Sequence, residues 1–224
     1  MPFLSLINII KANKALNHIY QETGEMNREC KRIFLRAFDA LVKADTIPLA
    51  ELADEDKIIN KYEVSIREKI LTYLAFTSTP SLNSTMILTN TVISYERIGD
   101  YSKGIASLGV NFPVKFDQES EYFRIVTLIK ETIVKQFDLT YEGFSESDAE
   151  KAKQVIESYR GIKSLHEALI ARLSHHKEIE TNTAIVYACL CIFMRRIGAH
   201  LKNICTAVLY PPPKFGFANK KDIE

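Results

Sequence analysis

Two stretches ninety-nine residues apart decide the fold: Glu96-Arg97-Ile98-Gly99-Asp100-Tyr101-Ser102-Lys103-Gly104-Ile105 and Arg195-Arg196-Ile197-Gly198-Ala199-His200-Leu201-Lys202-Asn203-Ile204. Both carry the frame Arg-Ile-Gly-x-x-x-Lys-x-Ile. Upstream, Met86 corresponds to Ile185 and Ile93 to Ile192. A period of about 100 residues is the mark of one supersecondary unit built twice. A second, looser correspondence sets Ile59, Tyr62 and Ile66 against Ile162, Leu165 and Leu169.

Working outward, each stretch lies inside a long helical period. Leu82, Met86, Thr89, Ile93, Glu96 and Asp100 follow at spacings of three and four, one stripe of a helix. Thr79 and Pro80 suit its N-cap and first position, and Pro113 stops it. Residues 5–45 read as a helix, either continuous or interrupted near Gly24. An acidic linker follows over Pro48–Glu55, and the next helix covers 54–76. Asp117 can cap a helix over 118–140. Ser147-x-x-Glu150 reads as a capping box opening 148–175. The last helix spans 180–208 and ends at Tyr210-Pro211-Pro212-Pro213. No useful alternation of period two occurs. The expectation is an all-α chain of six helices in two tandem three-helix bundles, 1–113 and 114–210, with a tail over 211–224.

Composition limits the function. The 224 residues hold 8 Gly and 7 Pro, which leaves few turns between long elements. Twenty-nine Lys and Arg against 28 Asp and Glu give a net charge of +1, so no basic face argues for nucleic acid. The apolar start, Met1–Lys11, is too short to span a bilayer and lacks a cleavage signal. It reads as the first turns of a core helix or a weak contact with a membrane surface. Cys30, Cys189, Cys191 and Cys205 have no zinc or redox spacing and read as buried thiols.

The stripe that ends in Glu96 and Asp100 is unusual if it faces a core. The second helix repeats the feature, since Glu63 interrupts Ile59, Ile66, Ile70 and Leu74, and Asp56, Asn60 and Glu63 share one face. Across the repeat Glu96 becomes Arg195 and Asp100 becomes Ala199, while Asp56, Asn60 and Glu63 become Tyr159, Lys163 and His166. Two carboxylates about 5 Å apart repel by roughly 3 kcal/mol at an effective dielectric near 20. Converging acids need protonation, a Lys or Arg partner, or a bound cation. An all-oxygen set suits Mg, Mn, Ca or Fe, with Zn a further candidate.

These residues resemble the PhoU phosphate-uptake regulators. The likeness lies in Glu96-Arg97-Ile98-Gly99-Asp100, in the Asp56-x-x-x-Asn60 of the preceding helix, and in tandem three-helix repeats, and it covers roughly residues 15–210. It implies a cytoplasmic, non-enzymatic regulator, peripheral to the membrane, that links a phosphate transporter to a sensor histidine kinase; it also allows a homodimer. Carried over by residue, it makes Asp56, Asn60, Glu96 and Asp100 metal ligands, with Glu63 adjacent. The second half departs from the pattern at Arg195 and Ala199, so its metal site is expected to be absent. A metal-free helical adaptor of another transporter is the alternative.

Other chemistries lack their motifs. No histidine follows a Glu by three positions, which removes the paired Glu-x-x-His of di-iron bundles. Neither a phosphate-binding G-x-x-x-x-G-K-[ST] nor a Gly-x-Ser-x-Gly is present. Arg195 and Arg196 are either an anion site or partners of acids. His175 and His176 read as turn residues, and Tyr101, Tyr187 and Tyr210 as core or interface aromatics.

Overall fold

A computed structural model describes residues 10, 13–146, 148–175, 178–210 and 214–216. Six helices follow in order: α1 (Lys14–Lys43), α2 (Thr46–Phe76), α3 (Leu82–Asn111), α4 (Glu121–Glu146), α5 (Ala149–His175) and α6 (Thr181–Leu209). Helices α1, α2 and α3 pack on one another, as do α4, α5 and α6 around α6. The two bundles join along α3 against α6, with a smaller contact of α1 on α4.

The caps explain where the helices begin. Helix α1 starts with Asn13, whose Oδ1 accepts from the Leu16 N–H at 3.1 Å. It is continuous through Gly24, where Tyr141 of α4 comes close: a β-carbon there would lie 3.1 Å from the ring. Ala44 ends it in the left-handed conformation at φ 53°. The acidic linker is part of α2, which begins at Thr46. Pro48 falls in its first turn, where the missing N–H costs nothing. The N-cap of α3 is Ser81 rather than Thr79, with Ser81 Oγ accepting from the Ser84 N–H. Helix α4 starts at Glu121, later than expected, because Ser120 Oγ accepts from the Phe123 N–H at 3.1 Å. It also continues to Glu146. Helix α5 is capped by Asp148, whose Oδ1 accepts from the N–H groups of Glu150 at 2.9 Å and Lys151 at 3.2 Å. The expected capping box rests on Ser147, outside the described residues. The same holds for Met1–Ile9, His176, the Pro211–Pro213 run and 217–224 of the tail.

One apolar core continues through both bundles. Phe34, Ile59, Ile66, Leu88, Val92 and Tyr95 fill the first half, and Val126, Ile133, Phe137, Val155, Ile162 and Leu190 the second. Cys30, Cys191 and Cys205 are buried and Cys189 is half-buried, none of them in a disulfide. By length and composition α6 is apolar enough to cross a membrane, but α3, α4 and α5 all pack against it. Polar seams tie α1 to α2: Glu55 accepts from both Arg32 and Arg36, and Glu22 pairs with Lys69 at 2.6 Å while accepting from Ser65. Lys31 and Asp138 do the same between α1 and α4, 2.6 Å apart.

The expected core stripe of α3 needs correction. Leu82 and Met86 are exposed, at 63% and 48%. The buried face is instead Leu88, Val92, Tyr95, Ile98, Ser102 and Ile105. Three helices cover α3, so its buried surface is broad. The stripe carrying the acids runs along its edge.

Candidate functional site

The acids are brought together by a close approach of backbones. Gly99 of α3 lies against Ile59 of α2, and a β-carbon on it would sit 3.2 Å from Ile59 Cγ2. That approach holds the antiparallel helices in register. One turn along α2 from Ile59 comes Glu63, and one turn back along α3 from Gly99 comes Glu96. Both are largely buried, with side chains 15% and 17% exposed. Asp100 is 40% exposed and Asn60 is exposed as well. The Asp56 side chain lies outside the described residues.

Arginines meet these carboxylates. Arg97 spans two of them, with Nη1 2.8 Å from Asp100 Oδ2 and Nε 3.3 Å from Glu96 Oε2. Arg67 Nη2 lies 2.7 Å from Glu63 Oε1. The compensation is incomplete at Glu96. Burial, then the charge of Asp100 and that of Glu63, raise its carboxyl above the usual range, while Arg97 pulls the other way. Among the described residues no three His, Cys, Asp or Glu side chains are placed to hold a metal together. The donor chemistry fits a hard cation. The positive charge between Glu96 and Asp100 is the guanidinium of Arg97.

The second half has the same frame with the charge reversed. Gly198 lies on Ile162, where a β-carbon would be 2.9 Å from Cδ1, and also near Gln136 of α4. Lys202 stands 5.7 Å over the Tyr159 ring. A turn further along each helix His166 faces Arg195, whose charge adds to burial in holding the imidazole below its ordinary pKa. Both His166 nitrogens and Arg195 Nε are buried with no hydrogen-bond partner among the described residues. Leaving such a group unsatisfied costs about 1–3 kcal/mol.

Sequence reasoning missed a further pair. Tyr101 and His200, the same position in the two repeats, meet where α3 crosses α6, with rings 5.8 Å apart. Phe193 packs there on Tyr101 and on Gly104. Burial lowers His200 to a pKa of about 4, helped by the charges of Arg196, Arg97 and Lys202. The 99-residue offset itself was the available signal. Tyr187 is a core aromatic against Phe116 and Tyr122, and His175 is exposed on the last turn of α5.

The PhoU domain family model matches residues 23–108 and again residues 126–208. The chain belongs to the PhoU family. Its two PhoU domain matches fall one in each half. The structure superposes on the crystal structure of PhoU from Pseudomonas aeruginosa with a TM-score of 0.79 at 21% identity, covering 88% of this chain and 97% of that one. It also superposes on the phosphate transport system regulatory protein PhoU from Streptococcus pneumoniae, with a TM-score of 0.78 at 18% identity, over 87% and 93% of the two chains. No curated protein matches the chain in sequence. At these identities the PhoU structures speak for the fold, six helices in two tandem bundles.

Proposed function

We propose that this chain is a regulator of phosphate transport and phosphate-starvation signalling that acts by contact with a transporter, a sensor histidine kinase, or both. One observation carries the reading: the PhoU domain match recurs in each three-helix half. A solved protein of the same fold is described as a phosphate transport system regulatory protein. The role is non-enzymatic and cytoplasmic, at the inner face of the membrane, with a homodimer as one working assembly. The test is phosphate uptake in cells lacking the protein. Uptake of labelled phosphate should stay high when phosphate is plentiful, and the natural chain should restore restraint. Unchanged uptake and unchanged starvation responses overturn the reading.

The first-half acids add a proposed cation site. Asp56, Asn60, Glu63, Glu96 and Asp100 would hold Mg, Mn, Fe or Zn, and the bound ion would supply positive charge now lent by Arg97. Support comes from the oxygen-only donors and from the raised pKa of Glu96 beside Asp100 and Glu63. A second reading, a metal-free adaptor, is favoured by Arg97, which already bridges Glu96 and Asp100. Calorimetry with each metal separates them: saturable binding lost in Glu96→Gln/Asp100→Asn supports the cation, and no heat with any metal supports the adaptor.

A further inference from the structure

We infer that the second half binds a small tetrahedral oxyanion of the phosphate class between His166 of α5 and Arg195 of α6. The inference does not depend on a cation in the first half. It rests on three observations that concern the second half alone.

The first is placement. Gly198 on Ile162 and Lys202 over Tyr159 fix α5 and α6 in register, and that register sets His166 opposite Arg195. The second is charge. Arg195 and Arg196 make no ion pair with any described acid, and the nearest acid along α5, Glu167, stands 3.8 Å from Lys163. Among the described residues Arg195, half-buried at the border of the core, has no counter-charge, and neither has the exposed Arg196 beside it. The third is the set of idle nitrogens. Nδ1 and Nε2 of His166 and Nε of Arg195 are shielded from solvent and have no partner among the described residues. A buried donor without an acceptor marks a missing ligand or water.

An oxyanion answers all three. Its oxygens accept from Arg195 Nε and the guanidinium, a geometry that suits phosphate. The same negative charge favours protonation of His166, which then donates as well. The two side chains part to admit the ion. A metal cation is excluded by the like charge of Arg195 and Arg196. The one acid whose charge reaches the imidazole is Glu167 on α5, which stands 3.8 Å from Lys163.

The test is a titration of the full chain with inorganic phosphate at low ionic strength, following the His166 ring by NMR beside calorimetry. Saturable binding with a rise in the His166 pKa supports the site. Arg195→Gln should weaken binding about tenfold or more, the loss of one charge-assisted contact. Lys153→Gln, on the opposite stretch of α5 and paired with Glu150, should leave it unchanged. If Arg195→Gln does not fold, the His166 titration of the natural chain decides alone. No saturable response to phosphate, an equal response to chloride at matched ionic strength, or equal loss in Lys153→Gln overturns the inference. Loss of phosphate binding with intact control of uptake refutes neither the regulator reading nor the fold, so the two failures are separable.

Discussion

Gly99 and Ile59 meet so closely that a β-carbon on the glycine would lie 3.2 Å from Ile59 Cγ2 and 3.4 Å from its Cβ. The contact is with the stiff, branched base of the side chain, so little can rotate away. Gly198 meets Ile162 at its Cδ1, the free end, at 2.9 Å. Replacement by Ala gains about 1 kcal/mol of helix propensity at either site and loses to overpacking by about 1–3 kcal/mol. Gly99→Ala should therefore lower Tm more than Gly198→Ala. Gly161, with nothing within 4 Å of its virtual β-carbon, should raise Tm when changed to Ala. Thermal unfolding of the three variants gives the order directly.

The crossing of α3 and α6 is set to weaken in acid. His200 is held to a pKa of about 4 by burial and by Arg196, Arg97 and Lys202, against about 6.5 in the unfolded chain. Between those values the unfolded chain binds the proton and the folded chain does not. Stability from this group is complete above about pH 6.5 and falls as pH drops towards 4, by at most about 1.4 kcal/mol per pH unit. His200→Gln should flatten the Tm–pH curve in that window. An unchanged curve would assign the acid sensitivity elsewhere.

Removing Arg97 should enlarge another pH effect, one opposite in sign to that of His200. Without its guanidinium, Glu96 faces Asp100 and Glu63 with less compensation, and its raised carboxyl pKa should rise further. The folded state then holds a proton that the unfolded state releases, so stability falls as pH rises through the window above the ordinary Glu value. Arg97→Gln should melt lower at neutral pH than near pH 5. If the acids take a cation, Mg²⁺ or Mn²⁺ should restore the neutral-pH Tm of this variant.

Asp148→Ala removes the oxygen that accepts from the Glu150 and Lys151 N–H groups at the start of α5. A lost cap of this kind costs about 1 kcal/mol. The expected fall in Tm is about 2–4 °C for a chain of this size.

Much of this was readable before any coordinates. Six helices and two bundles followed from period and from the Arg-Ile-Gly repeat, because helix faces and duplication are written in residue spacing. Helix starts were less readable: Ser81 and Ser120 replaced the expected Thr79 and Asp117, since neighbouring polar residues compete for one cap and geometry decides. The seam through Leu82 and Met86 misled because α3 is covered by three helices, so its edge and its centre share an apolar character. Glu63 lies near enough for its charge to raise the Glu96 carboxyl, but the arginines that meet these acids lie on the same helices, at spacings that also fit a solvated face.

The meeting of Tyr101 with His200 has a consequence of its own. An amino acid that touches its own counterpart marks an axis of two-fold symmetry. Two separate copies of the half-chain would dock in the same way, so the molecule is in effect a dimer written on one polypeptide. Joining the copies released each from having to match the other. One could keep its carboxylates while its twin exchanged them for bases, a divergence that a true homodimer forbids.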